Sequence, residues 1–524
     1  MTDTTRPRFD LLIEPWIPCE LPDGARVELG IRDVLHRAHE LAAVHDESPL
    51  VTAVLHRLLL AILDRALQPK NRDDWLALWR AERLPVEPID AYLDRWKERF
   101  DLFHPERPFM QVAKLDEKLR AERGKDAERT AAWRMVMESS SCGGHIAVFE
   151  PMPADAALSP QAAARGLLAF QLYTSGGRIQ NEAESWTGGV MRPGAVATLR
   201  GSTLRESLVL NLVARSSRAP DDVPPWERAR DVERLTRPAA GPIDLLLWPS
   251  RRVLLYPDAA ARVEDVLTAA GERTTGEVAD PQMAYFVRNP KNPPVALRFD
   301  PDRGAWRDST ALIDASTGGG AFQRPHAITQ MAELILAGRV PRAQRLALEL
   351  RGMSTDKAII RLSRAERMPV SARMLTDSDR VATLKSALEL AEAVGTDLER
   401  KALFVLCERA LAPTDREAHK NDVSSLRDAL GTMAQYWGAL GQAFEPWLLA
   451  LGDADDPDTA LPAWKDATRR AAREAFRDAC ARLGTTARAF QAAAQAEGTL
   501  AKLLSEHLGP ARTDAPAPTA GATP

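Results

Sequence analysis

Cysteine is scarce in this chain: four in 524 residues, at positions 19, 142, 407 and 480, with no paired spacing. A disulfide framework is therefore excluded, and a reducing cytoplasm is the expected location. Long apolar runs are missing too. The stretch 58–63 is stopped by His56 and Arg57 on one side and by Asp64 and Arg65 on the other, well short of the ~20 residues that a spanning helix needs. The opening MTDTTRPRFD carries no apolar export segment.

Signatures of catalysis are missing as well. Gly-Lys occurs only at Gly124-Lys125, where Asp126 follows instead of the Ser or Thr of a phosphate cradle, so a nucleotide-hydrolysing motor is excluded. His45-Asp46 stands without further spaced ligands and is expected to precede and cap a helix opening at Ser48. Cys142-Gly143-Gly144-His145 offers two ligands but no second pair, and a structural zinc site needs four. Ser139-Ser140-Ser141 and Ser175 lack a nucleophile-elbow setting. The expectation is a protein with no catalytic residues, no metal and no cofactor.

What is present is a segregation of charge. The chain has a net charge of −4, yet residues 339–373 hold nine Lys or Arg against three acids, a local +6 that leaves −10 for the remainder. A polyanion touched along one face calls for this distribution, because phosphate contacts are electrostatic. An Arg-rich solvated surface is the plainer alternative.

Patterning divides the chain near Arg367-Met368-Pro369. Residues 1–368 mix short strand-like runs, at 9–13, 26–29, 195–199, 243–248, 252–256 and 295–299, with helices such as that from Ser48 to about Leu67. Residues 369–508 keep three-four apolar spacing in four stretches, the first running unbroken through Gly395, the second containing Leu426, Leu430, Met433, Trp437 and Leu440. The fold class expected is α+β: a mixed α/β domain, a C-terminal four-helix bundle, and a disordered Pro/Ala/Thr-rich tail at 509–524. Within the first domain, Ser175-Gly176-Gly177-Arg178 and Gly188-Gly189, with Arg192-Pro193-Gly194 beyond, supply side-chain-free backbone that could approach a groove or a phosphate. Residues 341–368 read either as a helix-turn-helix connection or as part of a binding surface.

Several strings in order along the chain carry a resemblance: LLIEPWIP at 11–18, HPERPFMQ at 104–111, TLRESLVLNL at 203–212, PWE at 225–227, DLLLWPSRR at 244–252 and WRDS at 306–309. Together with the length and the helical C-terminus, they make the chain resemble the CasA-type large subunit of the type I-E CRISPR surveillance complex, Cascade. The resemblance implies a non-enzymatic subunit that recognises the protospacer-adjacent motif (PAM) in duplex DNA, starts R-loop formation, and provides the landing site for a helicase-nuclease. Implied partners are double-stranded target DNA, the guide RNA, and the backbone and small subunits, with no membrane. Sequence reading is then left mostly to base pairing. By the same resemblance, Gly176 and Gly177 form a glycine loop against the minor groove, with Gly188-Gly189 as the rival placement. The segment 352–360 is a wedge hairpin with Lys357 at its point, where some relatives carry glutamine. Lys291 is a basic finger, and 129–141, with Trp133 and Arg134, is a loop near the guide RNA's 5′ end. The alternative is a scaffold that binds RNA or protein without reading DNA. Incubating the chain alone with DNA and a divalent metal is expected to give no cleavage; products would revive a nuclease reading.

Overall fold

The structure is a computed structural model that describes residues 7–139, 156–192, 194–229, 231–275, 279–286, 295–314, 322–356, 359–411 and 420–510. It is an α+β chain of two compact units, residues 1–301 with 311–376 and residues 302–310 with 377–524.

The first unit is built round the helix Pro49–Leu67. Ser48 caps it by accepting from the Val51 N–H at 3.2 Å, and Pro49 fills the first turn. As the sequence suggests, Asp46 supports this start, its Oδ1 accepting from the Ser48 N–H at 2.9 Å. All residues from Leu50 to Asp64 are buried, so the charged positions that interrupt the apolar run need internal partners. Arg57 has five: Asp280 Oδ1 and Oδ2 at 3.0 and 2.7 Å, Gln282 Oε1 at 3.1 Å, and the Leu245 and Leu246 carbonyls at 2.8 Å each. Asp64 accepts from Arg215 at 2.8 Å and Arg218 at 3.1 Å.

One sheet positions the candidate site. Arg345–Asp356 and Ile359–Ser371 form a long antiparallel hairpin, and Val196–Arg200 adds to the first of these strands from Ala347 to Arg351. Past Arg351 the hairpin runs on without that third strand to the pair Asp356↔Ile359. The register slips by one residue between Ser354 and Thr355, so Arg361 is the extra residue of a bulge. Alternation sets the faces: Leu346, Leu348, Leu350, Met368 and Val370 are buried, whereas Arg361 and Arg367 are exposed. The basic segment is therefore a hairpin and not a helix-turn-helix.

Other local expectations shift for physical reasons. Residues 9–13 form no strand, because Asp10 turns the chain by accepting from the Leu12 N–H through its side chain and from the Ile13 and Glu14 N–H groups through its carbonyl. The hairpin there pairs Ile17–Glu20 with Arg26–Leu29, closed at Gly24 with φ +84°. Residues 243–248 lie partly in the short helix Pro242–Leu246, a short apolar run being ambiguous until Pro242 at its first turn decides it. Of 295–299 only Val295–Ala296 is strand.

In the second unit the helix Ser378–Asp397 passes through a π turn, Leu398–Ala402, into Leu403–Leu411, so the helix does run unbroken through Gly395. The π turn rotates the buried face: Leu403, Leu406 and Cys407 are buried, and Val405 only half so. The expected second helix is two, Lys420–Leu430 and Thr432–Asp453, parted at Gly431 with φ +63°. Arg482 caps the break by donating to the Leu430 carbonyl at 2.8 Å. Leu461–Arg482 and Ala487–Leu508 complete this unit's described helices. The excursion 302–310 belongs to this unit through Trp306, whose ring packs against Phe444 and Trp464 at centroid distances of 4.9 and 6.0 Å.

Beside Arg57 on the buried helix, His56 is wholly enclosed. Burial first, and the nearby Arg351 second, push its imidazole down to about 3. The folded protein thus keeps His56 neutral while the unfolded chain protonates it below about 6.5. Stability falls by about 1.4 kcal/mol per pH unit as pH drops through that window towards 3. Denaturant midpoints at pH 7 and 4.5 should differ less in His56→Gln than in the wild type.

Candidate nucleic-acid interface

The helix Pro160–Tyr173 delivers the first glycine pair. Past Thr174 the chain forms a two-stranded ribbon, Gly177–Arg178 against Ser185–Trp186, with Gly177 opposite Trp186. Gly177 has φ +115° and open space where a Cβ would sit. Gly176 is the reverse: a Cβ there would lie 2.8 Å from the Gly188 nitrogen, and one on Gly188 would lie 2.8 Å from the Thr174 carbonyl oxygen. The Gly189 N–H donates to that carbonyl at 2.8 Å. The two glycine pairs that compete on sequence are thus packed on one another at a single place.

Arg251 fixes that place, a role sequence reasoning did not assign. It is 1% exposed and lies in the strand Arg251–Pro257. Its guanidinium donates to the Ser175 carbonyl at 2.8 Å and the Thr187 carbonyl at 2.9 Å, one oxygen from each glycine segment. Its own backbone exchanges two 2.9 Å hydrogen bonds with the Gln171 side chain. The only signal in the sequence was its place in the DLLLWPSRR string.

Beside the second glycine pair is a cavity of about 470 Å³. Its walls include Thr187, Gly188, Gly189 and, from the projecting part of the long hairpin, Met353, Ser354 and Thr355. Gly352 lets this hairpin close in: a Cβ there would sit 3.2 Å from the Gly194 carbonyl oxygen and from the Ala195 Cα. The cavity's carboxylates are neutralised by arginines, Asp280 by Arg57 and Glu272 by Arg237 and Arg228 at 2.6 and 3.1 Å. Arg192 and Arg298 also line it. Burial, and Arg298 beside it, lower the Arg192 guanidinium pKa.

Of the residues singled out on sequence, Gly177 is in this ribbon and Gly176 directly precedes it; the described lining of the cavity includes Gly188 and Gly189 and neither of these two. Lys357 and Lys291 lie outside the described residues, as do Cys142, Gly143, Gly144 and His145. Trp133 is buried and Arg134 exposed in the one-turn helix Ala132–Met135. Among the described residues no set of three His, Cys, Asp or Glu side chains is placed to hold a metal ion, and no helix is long and apolar enough to cross a membrane. Burial pushes the thiol of Cys19 up to about 12 and those of Cys407 and Cys480 up to about 11, so none of these is a thiolate at neutral pH.

The family model of CRISPR-associated protein Cse1 matches residues 10–475. The chain belongs to the Cse1 family. It is 34% identical over 95% of its length, and 98% of the relative's, to CRISPR-associated protein CasA/Cse1 of Thermus thermophilus. The crystal structure of Thermus thermophilus CasA superposes with TM-score 0.80 at 30% identity, covering 95% of this chain and 99% of that one. A chain of a CRISPR RNA-guided surveillance complex superposes with TM-score 0.72 at 26% identity, covering 94% and 99%. This Cse1 chain therefore carries its ribbon, hairpin and cavity on the fold of the family.

The glycine contacts give unequal tolerances. A Cβ on Gly189 would sit 2.2 Å from the Leu172 carbonyl oxygen, so Gly189→Ala must push the segments apart, costing about 1–3 kcal/mol by overpacking and breaking its bond to Thr174. Gly177→Ala meets no atom and is strained by its φ alone. Hydrogen exchange across residues 172–191 is expected to accelerate in Gly189→Ala and to stay near wild type in Gly177→Ala.

Proposed function

We propose that the chain is the non-catalytic large subunit of a type I-E RNA-guided surveillance complex, reading a short motif in duplex DNA and parting the strands beside it. The observation that carries this reading is convergence: the Gly188-Gly189 segment packed against the ribbon, the long hairpin and the Arg192/Arg298 pair all border one cavity. A narrow backbone ribbon suits the minor groove, whose edges distinguish A·T from G·C but not A·T from T·A, and tolerance of several motifs follows. The hairpin supplies the wedge, with Lys357 in the two-residue gap between Asp356 and Ile359. A lysine there separates strands by occupying space and capturing a phosphate, offsetting an unstacking cost of a few kcal/mol per step. Lys291 is assigned to a basic finger on the same groove. Similarity to a chain of an RNA-guided surveillance complex supports guide RNA and the other complex subunits as partners; a helicase-nuclease that lands on the subunit, and a place in the cytoplasm, complete the proposal.

The test is binding of duplexes with and without a motif to the reconstituted complex, at fixed salt, with wild-type or Lys357→Ala subunit. Wild type is expected to separate motifs by ~1–3 kcal/mol, and the variant to bind but fail to open the strands. Motif discrimination that persists when the subunit is omitted would make it a scaffold.

A further inference from the structure

A second cavity, of about 230 Å³, is lined by the first glycine segment. Arg134, Arg178 and Arg251 line it with Ser175, Gly176 and Thr268, and no Asp or Glu is among its described lining residues. These groups come from four separate elements: the turn Ala132–Met135, the ribbon, and the paired strands Arg251–Pro257 and Val263–Ala270. Arg134 and Arg178 are exposed at its rim. The Arg134 guanidinium rests 5.8 Å from the Trp133 ring centroid, and Arg251 beneath holds the Ser175 carbonyl. Gln180, also in the wall, donates to Glu128 Oε2 at 3.3 Å.

We propose that this cavity binds a phosphodiester of duplex DNA. Planar guanidinium forks match phosphate oxygens in pairs, and Thr268 and Ser175 add hydroxyl donors beside them. Gly176 and Arg178 bring the ribbon segment to this cavity, so a duplex held against the ribbon lies beside its guanidinium groups. The inference rests on the minor-groove reading proposed above and adds to it a second phosphate contact that carries no sequence information.

The experiment titrates motif and non-motif duplexes onto the reconstituted complex over a range of salt, with full-length wild type, Arg134→Ala/Arg178→Ala, and the Lys/Lys counterpart. The Ala pair is expected to weaken both duplexes alike and to lower the slope of log K against log salt by about 0.9 for one phosphate lost, with motif discrimination unchanged. The Lys pair, keeping charge, should restore most of the slope. An unchanged slope in the Ala pair overturns the proposal. So does a loss confined to guide-RNA retention measured without DNA, which would assign the cavity to RNA. If wild type itself shows no motif discrimination while the slope still falls, the minor-groove reading fails and the phosphate contact stands.

Discussion

The buried guanidinium of Arg57 is the constraint on which the rest of the first unit hangs. An isolated charge in that position would be prohibitive, and removing one partner of a buried pair costs about 3–5 kcal/mol. Here five acceptors meet the five donors, and each acceptor belongs to a segment that must be placed. Asp280 and Gln282 lead directly to the site: the Ala197 N–H donates to the Gln282 carbonyl, Val196–Arg200 carries the long hairpin, and Asp280 itself walls the larger cavity. One side chain on a central helix thereby sets the register of strand, hairpin and cavity at once.

The site shows the same economy. Its glycine segments present main chain, so their rigidity has to come from below, and Arg251 provides it by bonding both segments through their carbonyls. Arginines elsewhere pair with the cavity's carboxylates, and Arg192 and Arg298 line the same cavity. The strong positive charge of residues 339–373 is then distributed along a hairpin whose alternating faces separate the apolar contacts from the exposed arginines. Charge that reads as a single patch in the sequence becomes directional only once the strand period is imposed.

Much of this was legible in the sequence, and the failures are instructive. The helix from Ser48, the strands at 195–199 and 252–256 and the unbroken helix through Gly395 follow from caps and periodicity. The order of short strings pointed to the family, and the structure explains why such strings are informative: Gln111, Trp248 and Arg251 within them are buried and Trp306 half-buried, each with specific long-range partners. What pattern could not give was anything decided by partners distant in sequence. The run at 243–248, started as a helix by Pro242, is held by a buried network of Asp244 with Arg228 and Arg237. The helix break at Gly431 depended on a capping arginine fifty residues on. The rival glycine pairs could not be ranked because, twelve residues apart in the chain, they are halves of one contact.

That contact limits how the surface can diversify. Gly176 and Gly188 approach so closely that neither position has room for even a methyl group without displacing backbone. Random substitution there removes the ribbon instead of retuning it, so the mutational routes to a different ligand preference are closed at the centre and open at the walls, where Arg192, Arg298, Ser354 and Thr355 already carry side chains. A lineage under pressure to accept new partners would hold its glycines fixed and drift at the rim.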